Sequence, residues 1–221
     1  MSTNVPTGEL CDRYESLYTG AITDVLDDRG YRDQTIRGDV EPLDRSLSMA
    51  GIAHTAVGRR NIDVDPEEQI REHLRMVGRA PEHGVLVIEA NDDVSAQIGE
   101  LMTTSLMSQG CRGCVCDGGT RDTEFIREQD FPLFTGYKTP EDSVPRWELR
   151  GWDTDVVIGG VEVSPGDVVV GDVDGVVVVP RPVAVEVLEA AEDKIGEEDK
   201  VREKIKEGVS PLEAYDEFGV F

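Results

Sequence analysis

The sequence predicts an α/β fold in a single domain, and three observations carry the prediction. Segments with apolar residues at helical spacing alternate with short apolar runs of strand length through the first two thirds of the chain. One run, Gly84 to Ala90 (GVLVIEA), is apolar at nearly every position, the pattern of a strand covered on both faces. A valine-rich block then strings several short strands together, and a long charged helix follows it. A chain of 221 residues has room for one well-buried domain, expected here over 1–221.

Taken in order, Leu10, Tyr14, Leu17, Ala21 and Val25 predict two short helices over 9–30, broken near Thr19-Gly20. Gly38 to Glu41 reads as a connection, and Ser48 to Val57 as a strand in which His54 is a satisfied core residue. After a polar loop over 58–65, Pro66 opens a helix whose buried stripe is expected to be Ile70, Leu74 and Val77. The Gly84–Ala90 strand ends in Asn91-Asp92-Asp93, at the strand end where open α/β sheets collect ligands. A helix from about Gln97 to Gln109 should turn Leu101, Met102, Leu106 and Met107 to the core. Gly113 to Cys116 and Phe131 to Gly136 read as strands. Residues 137–155, rich in turn formers, read as a loop or edge excursion in which Lys138 and Arg146 are surface charges by default, with reach to substrate as the alternative. The β-rich block comprises Val156–Ile158, Gly160–Val163, Val168–Val170 and Val176–Val179, and Asp172-Val-Asp174-Gly is a hairpin turn that lacks the further oxygens of a calcium loop. Ala184 to Glu207 forms the amphipathic C-terminal helix, with Val187, Ala190, Ile195, Val201 and Ile205 as its seam.

Acidic residues number 46 against 22 basic ones, a formal net charge of −24, and they are spread along the whole chain. Five of the basic residues are lysines. Dispersed acid with scarce lysine predicts a protein from a salt-loaded cytosol, where ions screen the self-repulsion. The same balance excludes nucleic acid as a direct ligand, because no basic patch is present to neutralise phosphates. No stretch approaches the ~20 apolar residues of a membrane span, and MSTNVPTGEL has no basic segment followed by an apolar one, so a cytoplasmic location is expected. Cys11, Cys111, Cys114 and Cys116 lack a second ligand pair at zinc spacing. Cys114 and Cys116 are expected as small buried residues of a strand.

The candidate site is the stretch CDGGTRD, Cys116 to Asp122, with the GELM run Gly99 to Met102 before it. Asp117-Gly118-Gly119 reads as a glycine turn after the strand, and Thr120 as the cap of a helix with Arg121 and Asp122 in its first turn. One cation and one anion then stand at the mouth of a sheet beside free backbone N–H groups, a place to hold a metal ion and a small carboxylate. Taken alone, Arg121-Asp122 is an ordinary charged first turn.

Twenty residues separate Glu100 from Arg121-Asp122. With TDVLD (23–27), AGIAHTA (50–56), FPLF (131–134) and the GGVEVSPGDVVVGDVDGVVVVP block, this order resembles the family of the 4-hydroxy-4-methyl-2-oxoglutarate aldolases and the regulator of ribonuclease activity A, from about Tyr14 to Pro180. The resemblance implies a swivelling β/β/α-type fold with residues 181–221 as a C-terminal helical extension. It implies a homotrimer or a hexamer with sites between subunits. It also implies a lyase that releases pyruvate from a 4-hydroxy-2-oxo acid and decarboxylates oxaloacetate, with Mg²⁺, Mn²⁺ or another divalent metal as cofactor and a small 2-oxo acid as substrate. Both reactions leave an enolate whose charge a divalent ion takes up. On the matching positions, Asp122 is the metal ligand and Arg121 binds the oxyanion or carboxylate. The segment Gly99, Glu100, Leu101 and Met102 holds the carboxylate through its N–H groups, and Glu100 moves a proton. Glu197 or Glu198 of a neighbouring subunit's C-terminal helix would stand near the metal. Glu100 departs from the family's aldolase motif, which has Asp there, and so bears on substrate range. The alternative function is a non-catalytic regulator binding a ribonuclease. A quinone methyltransferase is excluded, since no strand–GxGxxG–helix unit is present.

Overall fold

Because apolar side chains alternate between the two faces of the central strands, each face builds its own core. The computed structural model describes residues 5–219. Its elements are α1 (Thr7–Glu15), α2 (Thr19–Asp28), β1 (Glu41–Pro42), β2 (Met49–Arg60), α3 (Pro66–Val77), β3 (Gly84–Glu89), β4 (Ala96–Ile98), α4 (Glu100–Ser108), β5 (Gly113–Thr120), α5 (Thr123–Glu128), β6 (Leu133–Lys138), β7 (Trp147–Trp152), β8 (Val156–Ile158), β9 (Val161–Val163), β10 (Val168–Asp172), β11 (Gly175–Val179), α6 (Ala184–Lys206) and α7 (Pro211–Phe218). The main sheet runs β1-β6-β5-β3-β2-β10-β11, with β4 against the end of β5 and β7 against the outer half of β2. Strands β2, β3, β5 and β6 are mutually parallel, joined through α3, α4 and α5, whereas β10 and β11 form an antiparallel hairpin added to β2.

On one face Leu86, Ile88, Cys114 and Cys116 pack with Met76, Leu106 and Ile126 of the three crossover helices. On the other, Val85, Val87, Val115 and Phe134 meet Val169, Val176 and Val178 inside a nearly closed, barrel-like sheet. Glycines make that closure possible: an added Cβ at Gly171 would stand 2.7 Å from the Phe134 ring, and one at Gly113 would stand 2.3 Å from Met49 Sδ. A third core seats α1, α2 and the first half of α6 on the outer face of β10 and β11 through Val168, Val170, Val187 and Leu188. The chain is therefore a mixed α/β domain with a C-terminal helix, and α6 lies on its own chain. Among the described residues no helix is long and apolar enough to cross a membrane.

Several elements differ from their sequence reading. Residues 96–98 form β4, so α4 begins at Glu100 rather than near Gln97. The turn-rich stretch holds β7, whose Trp147 is buried and donates its indole N–H to the carbonyl of Ala90 (2.6 Å). Pro66 does open α3, with Asp65 accepting from Glu67 N (2.9 Å), but its buried residues are Gln69, His73, Met76 and Val77. Ile70 and Leu74 remain exposed, as do Leu101 and Met107 of α4. His54 is satisfied in the core, between Asp153 Oδ1 (2.9 Å) and the Met76 carbonyl (3.2 Å). Cys114 and Cys116 are fully buried on β5, and burial pushes both thiols up.

Candidate active site

The site is built where β5 leaves the sheet. Strand β5 does not stop at Cys116. It continues through Asp117-Gly118-Gly119 to Thr120, with an irregularity in its pairing to β6 between Cys116 and Gly119. The glycines serve close approach rather than a turn. An added Cβ at Gly118 would stand 2.1 Å from Gln97 Oε1, and one at Gly119 would stand 2.7 Å from the Ser95 carbonyl. Gln97 Oε1 accepts the Gly119 N–H (2.9 Å), while Gln97 Nε2 donates to the buried carboxylate of Asp92 (2.9 Å). Asp92 also accepts from Ser95 N (3.0 Å), so the loop after β3 is locked to the end of β5. The Asp117 carboxylate accepts the Ala90 N–H (2.7 Å) and is raised above the usual carboxylate range by burial.

Thr120 thus belongs to the strand, and Arg121 and Asp122 precede α5 rather than forming its first turn. The N-cap position is held by Asp122, in the left-handed region at φ 58°. A non-glycine residue there costs about 1 kcal/mol or more, least for Asp and Asn, and such strain gathers at functional sites. The Asp122 side chain makes no capping bond to its own helix. It turns instead to α4: Oδ2 lies 3.4 Å from the Glu100 N–H nitrogen and 3.6 Å from Arg121 Nε. The first turn of α4 offers a carboxylate the positive end of its dipole. Gly99, the N-cap of α4, lets the two segments touch, since an added Cβ would stand 2.9 Å from Asp122 Oδ2.

Gly99, the Glu100 backbone N–H, Arg121 and Asp122 therefore converge, whereas the Glu100 side chain lines neither cleft at Arg121-Asp122. The Met102 N–H donates to the Gly99 carbonyl (3.1 Å), and Leu101 is 79% exposed. Glu100 turns toward α5, its Oε1 accepting from Thr104 Oγ1 (2.8 Å) and Gln129 Nε2 (3.1 Å). Glu197 and Glu198 lie on α6 and do not line the cleft; Glu198 bonds Tyr18 of its own chain. Two residues unremarked in the sequence join the site. Asp142 Oδ2 lies 3.5 Å from Arg121 Nη1, and His73 lines the same cleft of about 200 Å³. A second cleft of about 400 Å³ lies across Arg121-Asp122 and includes Lys138. Arg146 is held by Glu141 (3.0 Å) and the Asp142 carbonyl (2.9 Å).

Among the described residues, no three His, Cys, Asp or Glu side chains converge as a metal cage. One half-exposed carboxylate, Asp122, suits a cation such as Mg²⁺, which keeps several waters and takes only one or two protein carboxylates.

The family model described as RraA-like, aldolase/RraA, matches residues 9–178. The chain belongs to this family. A relative from Halalkalibacterium halodurans, provisionally named a 4-hydroxy-4-methyl-2-oxoglutarate aldolase, is 28% identical over 92% of this chain and 91% of its own. A solved structure described among novel cellulases from gut-associated microbes is 32% identical, with a TM-score of 0.84 over 90% of both chains. Streptomyces coelicolor RraAS2, an unusual member of the RNase ES inhibitor RraA family, is 27% identical, with a TM-score of 0.79 over 89% of this chain and 97% of its own. The RraA-like family thus includes members named as aldolases and members named as ribonuclease inhibitors.

Proposed function

We propose that this chain is a divalent-metal-dependent lyase that cleaves a 4-hydroxy-2-oxo acid to pyruvate, with oxaloacetate decarboxylation as a related activity. The observation that carries the reading is the convergence of Arg121 and Asp122 on the N-terminus of α4, in a strained backbone that capping does not explain. Asp122 would hold the metal. When bound, the ion supplies Lewis-acid polarisation of the substrate's 2-oxo group. The planar fork of Arg121 would bind the substrate carboxylate, and Asp142 and Asp122 hold that fork in place. In the retro-aldol step the 4-hydroxyl gives up its proton, the C3–C4 bond breaks, an aldehyde or ketone leaves, and C3 of the pyruvate enolate is then protonated. Glu100 is the carboxylate proposed to relay the proton, a role for which its side chain would turn from Thr104 and Gln129 toward the cleft. A trimer or hexamer, with an acid from a neighbouring α6 completing the site, is part of the proposal.

The cellulase description is not carried over. Glycoside hydrolysis uses two carboxyls flanking the scissile bond, whereas Asp122 and Asp142 here are both paired with Arg121. The regulator reading is separated by assay. Pyruvate release from a 4-hydroxy-2-oxo acid with Mg²⁺, stopped by a chelator, supports the lyase. No release in high salt, with capture of a ribonuclease, supports the regulator.

A further inference from the structure

Besides Arg121, Asp122, Asp142 and its apolar residues, the cleft is lined by Gln97, Ser105, Ser143 and His73. Gln97 is already used, its amide bonding the Gly119 N–H and the Asp92 carboxylate. Ser105 Oγ accepts from Gln109 Nε2 at 3.5 Å. His73 differs. It is only 3% exposed, and among the described residues its Nε2 is the one buried side-chain nitrogen or oxygen without a hydrogen-bond partner. Its own chain closes over Nε2, so a neighbouring subunit cannot supply the missing partner. The ring packs on Trp147 with centroids 5.2 Å apart. A phenylalanine would pack there without the cost of an unpaired polar group, so the nitrogens call for a use. A buried nitrogen with no acceptor costs less as a bare lone pair than as an N–H. The ring proton therefore belongs on Nδ1, the nitrogen left for a molecule in the cleft. Burial brings the His73 pKa down to about 4, against the opposing pull of Asp142 and Glu72, so the imidazole is neutral at ordinary pH. Glu72 is taken up by Arg75. Asp142 stands 3.5 Å from Arg121 Nη1, within electrostatic reach of both the guanidinium and the imidazole.

On the reading that this cleft takes a 4-hydroxy-2-oxo acid, we propose that His73 is a further catalytic residue whose Nδ1–H donates to the substrate oxygen on C4. Arg121 holds the C1 carboxylate. Once the 4-hydroxyl has lost its proton, that oxygen carries a negative charge and the hydrogen bond from Nδ1 strengthens. The C3–C4 bond then breaks. A lone pair on the oxygen forms the carbonyl of the departing aldehyde or ketone, and the C3–C4 pair passes into the pyruvate enolate. His73 neither gains nor loses a proton in this step. The hydrogen bond has no part in enolising pyruvate itself, which has no C4. That separates His73 from Arg121 and Asp122, which serve both reactions.

The test compares two reactions of the full chain in molar KCl with Mg²⁺. One is cleavage of 4-hydroxy-2-oxoglutarate and of 4-hydroxy-2-oxopentanoate; the other is exchange of the methyl protons of pyruvate in D₂O. His73→Phe, which keeps an aromatic ring against Trp147, should lower kcat for cleavage about 100-fold or more, the scale of a lost oxyanion donor. Exchange should fall far less, because it forms no charge on a C4 oxygen. His73→Asn, whose amide N–H can stand near the place of Nδ1, should recover part of the cleavage rate. Cleavage undiminished in His73→Phe, cleavage and exchange reduced alike, or a folded His73→Asn no faster than His73→Phe would each overturn the proposal. So would exchange without cleavage of either hydroxy acid by the wild type, while leaving the pyruvate site intact. A folded wild-type protein that catalyses neither reaction would remove the lyase reading itself, and this inference with it.

Discussion

Gly99 and Asp122 are packed so closely that a methyl group at position 99 would stand 2.9 Å from the carboxylate oxygen Oδ2. Gly99 has φ −145°, which any residue adopts, so the glycine is required by contact and not by backbone conformation. Gly99→Ala should therefore leave the fold intact, with a destabilisation of about 1 kcal/mol or less. It should push the Asp122 carboxylate away from the α4 N-terminus and weaken Mn²⁺ binding about 10- to 100-fold, the usual effect of disturbing a ligand's support. Calorimetric Mn²⁺ titration beside a thermal melt checks this. Unchanged affinity would remove the contact from the metal site.

The buried imidazole of His73 predicts a pH dependence of stability. Its folded pKa of about 4 lies below the ordinary value of 6.5, so between these values the unfolded chain binds a proton that the folded chain refuses. Stability should fall as pH drops from 6.5 toward 4, at about 1.4 kcal/mol per pH unit from this group alone. The difference between wild type and His73→Phe isolates the contribution, because other groups titrate alike in both. Parallel stability curves for the two proteins from pH 7 to pH 4 would show that residue 73 is not a buried neutral base.

The parts of the fold legible in the sequence were those that local chemistry decides. The nearly all-apolar 84–90 run, the valine hairpin over 168–179 and the helix start at Pro66 all form as expected. Strand β7 was hidden because it is defined by a distant partner: Trp147 fills the space left by Gly58 on β2, where an added Cβ would stand 2.0 Å from the indole. Gly118-Gly119 looked like a turn because glycine signals one, yet here it signals the approach of Gln97 and Tyr137. Leu74 and Leu101 obey helical spacing but face a cleft instead of the core. At the site, the spacing of Glu100 and Arg121-Asp122 pointed to segments that do meet. Asp142 and His73 carried no local signal, since only the tertiary fold brings them beside Arg121.

The charge of −24 predicts a salt requirement. Ion pairs at the surface are worth little each, and the excess acid has no partner within the chain. The melting temperature should rise steadily as KCl goes from millimolar to molar, because shortening the Debye length relieves repulsion between exposed carboxylates. A melting temperature independent of KCl over that range would contradict the salt-adapted reading.

The central claim is that Arg121 and Asp122 form a site that generates and protonates a pyruvate enolate. Its most direct measurement is exchange of the methyl protons of pyruvate with deuterium in D₂O, followed by NMR, which needs no knowledge of the natural aldehyde. Wild-type protein in molar KCl should catalyse exchange with Mg²⁺ or Mn²⁺ and lose it on chelation. Asp122→Asn, which keeps a residue tolerant of the left-handed backbone, should be folded and inactive. Exchange absent from the folded wild-type protein with metal present, or undiminished in Asp122→Asn, would contradict the account.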